Sequence, residues 1–268
     1  MLSTNSLIRT PAVAGQFYPA EPAQLANQIM DLLKSVKERP SSAHVKALIV
    51  PHAGFIYSGP IAASAYQNLK QQSDQIHRVV LLGPSHRVGF HGIATISANE
   101  YQMPQGNIKI DRSSLNMIES LPQVQQLDKA HEFEHSLEVQ LPFLQSILND
   151  FTLVPLVVGD CQANQVAEVL ELLWGGDETL IVISSDLSHF NNYEVACVQD
   201  QKTSDAILSL APEKIQHNDA CGRNPLNGLL VSAKKHNLEP DLIDLRNSGD
   251  TAGSHDRVVG YGAYLFYD

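Results

Sequence analysis

The sequence predicts one α/β domain over residues 1–268, with a central mixed, mostly parallel sheet flanked by helices and a pocket at the carboxyl ends of the strands. Three observations carry that expectation. Short, largely apolar runs such as "VKALIV" (45–50), "VVLLG" (79–83) and "LIVIS" (180–184) suit strands covered on both faces, as in parallel sheets. Segments of helical periodicity stand between those runs, so strand and helix alternate. No Gly/Ser-rich or charge-rich linker divides the 268 residues, and a hydrophobic fraction of 43% is enough for one sizeable core.

In chain order, "EPAQLANQIMDLLKSV" (21–36) sets Leu25, Ile29, Leu32 and Leu33 at helical spacing, and "PSS" (40–42) closes it before the first core strand. The pattern continues with a helix near 60–70, strands at 78–83 and near 92–97, and a helix near 111–120. "EHSLEVQLPFLQSIL" (134–148) aligns Leu137, Leu141, Leu144 and Leu148 on one stripe, a helix that Pro142 either kinks or opens. The strand "FTLVPLVVG" (151–159) follows, then a helix marked by Val166, Val169, Leu170 and Leu173, then the strand "TLIVISS" (179–185). Residues 194–210 read as helix. Asn224-Pro225 opens another, Asn as cap and Pro at the first helical position, with Leu226, Leu229, Leu230 and Ala233 facing one way. The tail "RVVGYGAYLFYD" (257–268) is a last strand, antiparallel or at an edge, because its glycines weaken a central placement.

A net charge of −11 without any Lys/Arg run excludes a nucleic-acid footprint and an anionic-membrane surface, both of which need clustered positive charge. No apolar run approaches the ~18 residues of a membrane span, and no basic-then-apolar leader opens the chain, so a cytoplasmic location is expected. Cys161, Cys197 and Cys221 form an odd set without CxxC spacing, which fits reduced thiols. Any metal site must therefore recruit histidines.

The histidines are placed to serve. Three apolar runs each deliver one within a few residues of their ends: His52 in "VPHAG", His86 in "LGPSH" and His189 in "SSDLSH", the last with Asp186. In a parallel sheet the crevice at the carboxyl ends of the strands is where ligands bind, and Pro51 and Pro84 stop their strands there. Gly54, Gly59 and Gly83 permit tight turns and close backbone approach at the same level. Neutral imidazoles suit Zn, Fe and Cu, and a thiolate or carboxylate would complete such a site. Cys221 in "DACGRNP" is the candidate, with Arg223 and a helix N-terminus favouring thiolate, whereas Cys161 and Cys197 read as buried, inert thiols. In "HEFEHSLE" (131–138), Glu134, His135 and Glu138 open a helix, and His135 is either part of an ordinary charged first turn or a general base or supporting partner in the pocket.

The motifs "VPHAGFIYSG", "LGPSH", "EHSLEVQLPFL", "VISSDLSHF", "CGRNP" and "NSGD" with "VVGYGAYLF" run in order over nearly the whole chain. Together they resemble the Memo family, in the form grouped as AmmeMemoRadiSam system protein B. The resemblance implies a fold akin to the catalytic subunit of class III extradiol non-haem iron dioxygenases. It implies His52, His86 and Cys221 as metal ligands, Asp186 and His189 lining the same pocket, and association with radical-SAM and AMMECR-type proteins. Those dioxygenases use two histidines and a carboxylate. The softer cysteine here widens the metals from Fe(II) to Cu and Zn.

The expected function is oxygen-dependent or redox activity at that metal on a small molecule, with His189, oriented by Asp186, as acid/base. A metal-assisted hydrolase and a non-catalytic peptide- or metabolite-binding protein are the alternatives. Substrate choice falls to loops such as 87–107 and 246–256, and the oligomeric state is left open.

Overall fold

The computed structural model describes residues 7–37 and 43–268, and among these nine strands form one sheet. Its centre is four parallel strands side by side, Val45–Val50, Thr179–Ser184, Arg78–Pro84 and Thr152–Val158. Both faces are covered, which is why the runs carry apolar side chains on odd and even positions alike. Lys46 is the exception inside such a run. Its buried ammonium donates to the carbonyls of Trp174, Gly176 and Thr179 at 2.7, 2.8 and 2.9 Å.

Antiparallel strands extend the sheet on both sides. Val258–Tyr267 pairs with Val45–Val50, and Ile93–Thr95 pairs with Thr152–Val158 and carries Val124–Gln126 outside it. The last strand is therefore interior, since Glu239–Asn247 and His189–Asn191 also pair with it. Its antiparallel direction agrees with the sequence reading and an edge position does not. Gly260 has a packing reason to be glycine there: a Cβ would stand 1.9 Å from the carboxylate of Asp200, seated against it from the helix Tyr193–Leu208. The strand Glu239–Asn247 has no apolar run and is mostly half-exposed, so it left no signal in the hydrophobic pattern. A separate small sheet joins Ile8–Arg9, Glu100–Tyr101 and Ile108–Lys109.

Helices flank the sheet in groups. Pro22–Ser35, Phe55–Tyr66 and Leu141–Ile147 pack on one another, as do Ala163–Leu173 and Arg223–Lys235. The first buries Leu25, Ile29 and Leu33 and is capped by the Glu21 carboxylate, which accepts from the backbone of Ala23 and Gln24. Pro40, Ser41 and Ser42, expected to close it, lie outside the described residues.

Two helix expectations change. Only Leu141–Ile147 of the 134–148 stripe is α-helical, because Pro142 has no N–H to offer backwards and its ring would meet the carbonyl of residue 138. Residues 134–137 run as loop and turn, so Glu134, His135 and Glu138 do not share a helix face. The helix Arg223–Lys235 starts ahead of Asn224, with Gly222 in the cap position, and the Asn224 amide instead donates to the carbonyl of Gly159 at 2.8 Å. Cys161 is buried as expected, but Cys197 is exposed. Among the described residues no helix is long and apolar enough to cross a membrane.

Candidate functional site

Pairing across the sheet brings the critical strand ends to one level. Val50 stands opposite Ser184, and Leu82 opposite Ile183, so Pro51-His52, Ser85-His86 and Ser185-Asp186 all leave the sheet at its carboxyl side. Opposite them lies the loop 131–140. The buried His131 belongs to that loop's own support, pairing through Nδ1 with the Tyr101 hydroxyl at 2.8 Å and through Nε2 with the Ala94 carbonyl at 3.0 Å. Burial takes its pKa down to about 4, so it stays neutral there.

His52 is fully enclosed, 1% exposed, which marks it as the innermost group of the cleft. Its backbone N–H donates to Asp186 Oδ1 at 2.7 Å, its Nδ1 meets Ser184 Oγ at 2.9 Å, and its Nε2 lies 3.3 Å from Cys221 Sγ. His86 binds Glu134 twice, its backbone N–H to Oε2 at 2.6 Å and its Nδ1 to Oε1 at 2.9 Å, and its side chain, 28% exposed, opens the cleft to solvent. His135 stacks on His86 with ring centroids 4.6 Å apart and takes the edge of Phe17 at 4.9 Å. Its backbone N–H donates to Glu134 Oε1 at 2.9 Å, with its Nδ1 at 3.4 Å from the same oxygen.

Three imidazoles thus converge. His52, His86 and His135 each offer a donor atom within 4.8 Å of the others, a spacing that lets one metal ion lie between them. Cys221 is outside that group, although its sulfur touches His52. A second group with the same spacing, His44, Asp177 and Asp268, is mostly exposed acid at the start of the first core strand.

The surroundings set the charges. Burial, then the neighbouring His86 and His135, hold His52 well below the ordinary imidazole pKa, so it stays neutral. His135 is lowered as well, by burial first. For Glu134 burial pushes upward, but the hydrogen bonds and charge from His86 and the N–H of Ser136 outweigh it and hold the carboxyl at about 2. Asp186 moves the other way: its burial raises it against the opposing pull of His189.

Two sequence expectations need correcting. Cys221 was expected to favour thiolate; instead burial and then the Asp186 carboxylate raise its thiol far above the ordinary range. Arg223, expected to favour the thiolate, does not offset this, because its guanidinium turns onto Asn224 Oδ1 at 2.9 and 3.2 Å. Asp186 was expected to orient His189, but its carboxylate caps the His52 backbone, and the exposed His189 ring pairs through Nδ1 with its own turn at the Leu187 carbonyl, 2.8 Å away.

Sequence reasoning gave no role to Ser184, Ser136 or Gln140, and left Glu134 and Glu138 as helix-start charge. Gln140 Nε2 donates to Ser184 Oγ at 2.7 Å and to the Pro51 carbonyl at 2.9 Å. The signal was there in Gln140, an amide inside an otherwise apolar stripe. Glu138, fully buried, collects the Arg9 guanidinium, the Tyr18 hydroxyl and the backbone N–H of Ala12 and Val13, which fastens the N-terminal segment over the loop.

Known proteins match this chain over the same span. The family model described as Memo-like protein covers residues 9–265. A MEMO1 family protein of Sulfolobus acidocaldarius is 34% identical over 286 residues, spanning 98% of this chain and 100% of its own. Another, from Saccharolobus islandicus, is 34% identical over 283 residues, spanning 96% and 99%. The crystal structure of an uncharacterized protein from Escherichia coli K12 shares the fold at a TM-score of 0.53 and 14% identity, covering 81% of this chain and 99% of that one. The matched span of residues 9–265 contains every residue of the site described above, and the chain belongs to the Memo family.

Proposed function

We propose that the protein binds a divalent metal ion, iron(II) ahead of copper or zinc, in the His52–His86–His135 cluster, with Cys221 as a further donor, and supports oxygen-dependent chemistry on a small molecule. The observation that carries the reading is the convergence of three imidazoles to within 4.8 Å at the carboxyl ends of the core strands. The donor chemistry fits an ion. His52 and His135 are held toward the neutral form that ligates. The carboxylates of Glu134 and Asp186 are already committed to imidazole and backbone N–H groups, which leaves nitrogen and sulfur as the donors. A metal bound there would supply redox or Lewis-acid chemistry and would draw the proton off the Cys221 thiol.

The chain's own residues do the rest. Asp186 fixes the backbone of His52, and Phe17 closes one side of His135 against water. His189, exposed beside the cleft with its Nδ1 tied to Leu187, is the group available to accept or return a proton.

Anaerobic purification with metal analysis, followed by oxygen uptake with catecholic and small carbonyl compounds, tests the reading. The expected result is about one iron(II) per chain, lost in His52→Ala and weakened in Cys221→Ser. Iron(II) affinity unchanged by both substitutions overturns it. Three imidazoles are also a donor set that catalytic zinc uses, so native zinc with no oxygen uptake would move the assignment to a metal-assisted hydrolase.

A further inference from the structure

We propose that the tripeptide Glu134–Ser136 fixes the tautomer of both strand-borne histidines, so that His52 and His86 turn unprotonated Nε2 atoms into the cleft. The inference deepens the metal reading and takes its purpose from it, but it follows from counting protons in a buried network.

Begin at Ser184. Its hydroxyl has one proton, and that proton goes to the Ser136 carbonyl at 2.6 Å, because a carbonyl only accepts. The Gln140 side chain is fixed in turn. Its Nε2 faces the Pro51 carbonyl at 2.9 Å, another pure acceptor, while its Oε1 takes the Tyr66 hydroxyl at 3.0 Å. Gln140 therefore donates to Ser184 Oγ at 2.7 Å. With its proton spent and one lone pair filled, Ser184 Oγ can only accept from His52 Nδ1 at 2.9 Å. The proton of His52 sits on Nδ1, and Nε2 is bare toward Cys221. The other tautomer would set a nitrogen lone pair against an oxygen lone pair inside the protein.

His86 reaches the same state by a shorter route. Its Nδ1 meets Glu134 Oε1 at 2.9 Å, and an ionised carboxylate only accepts, so this nitrogen also carries the proton. Both Glu134 oxygens already accept from backbone N–H groups, Oε2 from His86 at 2.6 Å and Oε1 from His135 and Ser136 at 2.9 Å each, an all-donor surrounding that suits a carboxylate and leaves no acceptor for a carboxyl proton. One short piece of backbone thus serves both rings: Glu134 acts on His86, and the Ser136 carbonyl acts on His52 through Ser184. The piece is clamped in place by the Ser136 hydroxyl on the Pro84 carbonyl at 2.8 Å and by the missing side chain of Gly83, where a Cβ would lie 2.8 Å from Ser136 Oγ. Glu134 and Ser184 are positioning residues, since each acts through a histidine.

Long-range proton–nitrogen correlation spectra of the full chain, treated with chelator and held at a pH of about 8, above the ~6.5 of an ordinary imidazole, read the tautomers directly. The expected wild-type result is protonated Nδ1 and bare Nε2 on His52 and His86. E134A should release His86 and leave His52 unchanged, S184A should do the reverse, and E134Q should keep His86, because an amide oxygen still accepts from Nδ1. In the same samples E134A should weaken zinc affinity on the order of 10–100-fold. A wild-type ring protonated on Nε2, or spectra unmoved by both alanine variants, overturns the proposal. Should E134A fail to fold, S184A decides alone. A wild type that takes up no metal sinks the metal reading, yet the tautomer spectra still decide this one.

Discussion

The two walls of the cleft hold their shape by different means. The sheet wall carries Ser184 at the last position of its strand, and His52, His86 and Asp186 within two residues past the ends of paired strands. The facing wall, residues 131–140, leaves the end of the short helix Asp128–Glu132, has one turn of 3-10 helix at Glu138–Gln140 and otherwise relies on buried side chains, Glu134 and Glu138 foremost. A pairing ladder spreads its energy over many bonds, whereas a wall hung on two carboxylates concentrates it. The comparison predicts that single substitutions in the loop wall cost far more than substitutions beside the strand ends.

Glu138→Ala should show the largest effect. It leaves the Arg9 guanidinium buried without its partner and frees the backbone N–H of Ala12 and Val13, a change that costs about 3–5 kcal/mol in buried ion pairs. Urea unfolding measures it. A loss under ~1 kcal/mol, the worth of one ordinary hydrogen bond, would mean the loop wall stands without its anchor and would break the comparison.

Glu134 gives the next effect, and it carries a sign. Its carboxyl is depressed in the folded chain from 4.5 to about 2, so the stabilisation is present above pH 4.5 and is lost as pH falls toward 2. The shift corresponds to about 3 kcal/mol, taking ~1.36 kcal/mol per unit. Glu134→Gln should lose stability of that order at neutral pH and flatten the acid limb of a stability–pH curve. Asp186 on the sheet wall is raised, so its own contribution runs oppositely and weakens as pH rises through its folded pKa. An acid limb unchanged in Glu134→Gln would show that the carboxylate carries no such load.

Gly83→Ala probes the seam between the walls. The new Cβ meets Ser136 Oγ at 2.8 Å and Leu137 Cδ2 at 3.0 Å, so one wall must shift, at about 1–3 kcal/mol for an overpacked site. Thermal unfolding should show the loss, and the His52 signals should move with it.

The same contrast decides what could be read from the residues alone. His52 and His86 were legible because an apolar run that stops at Pro51 or Pro84 marks a strand end, and parallel strands side by side place their ends together. The loop wall was not legible. Leu137, Leu141, Leu144 and Leu148 fit a helix by spacing, and only Pro142 hinted that the pattern would break, as it does at Leu141. Glu134 and Glu138 look like helix-start charge in the sequence, and their roles depend on Arg9, Tyr18 and His86, distant positions that no local pattern joins. The state of Cys221 was missed for a similar reason: Arg223 is adjacent in sequence but faces Asn224.

The smallest effect belongs at the strand ends. Asn224 was expected to cap a helix, and loss of a true cap side chain costs typically ~1 kcal/mol through orphaned helix N–H groups. Here Gly222 holds the cap position, and Asn224 spends its amide on the Gly159 carbonyl just beyond the strand Thr152–Val158. Asn224→Ala should therefore cost one hydrogen bond, about 1 kcal/mol or less where water can replace the donor. It also removes the acceptor that holds the Arg223 guanidinium away from Cys221, so the thiol of Cys221 should react with a maleimide probe at a different rate while stability barely changes. A stability loss as large as that of Glu138→Ala would show that the strand-end side is no more tolerant than the loop, because the ladder behind it would not have absorbed the change.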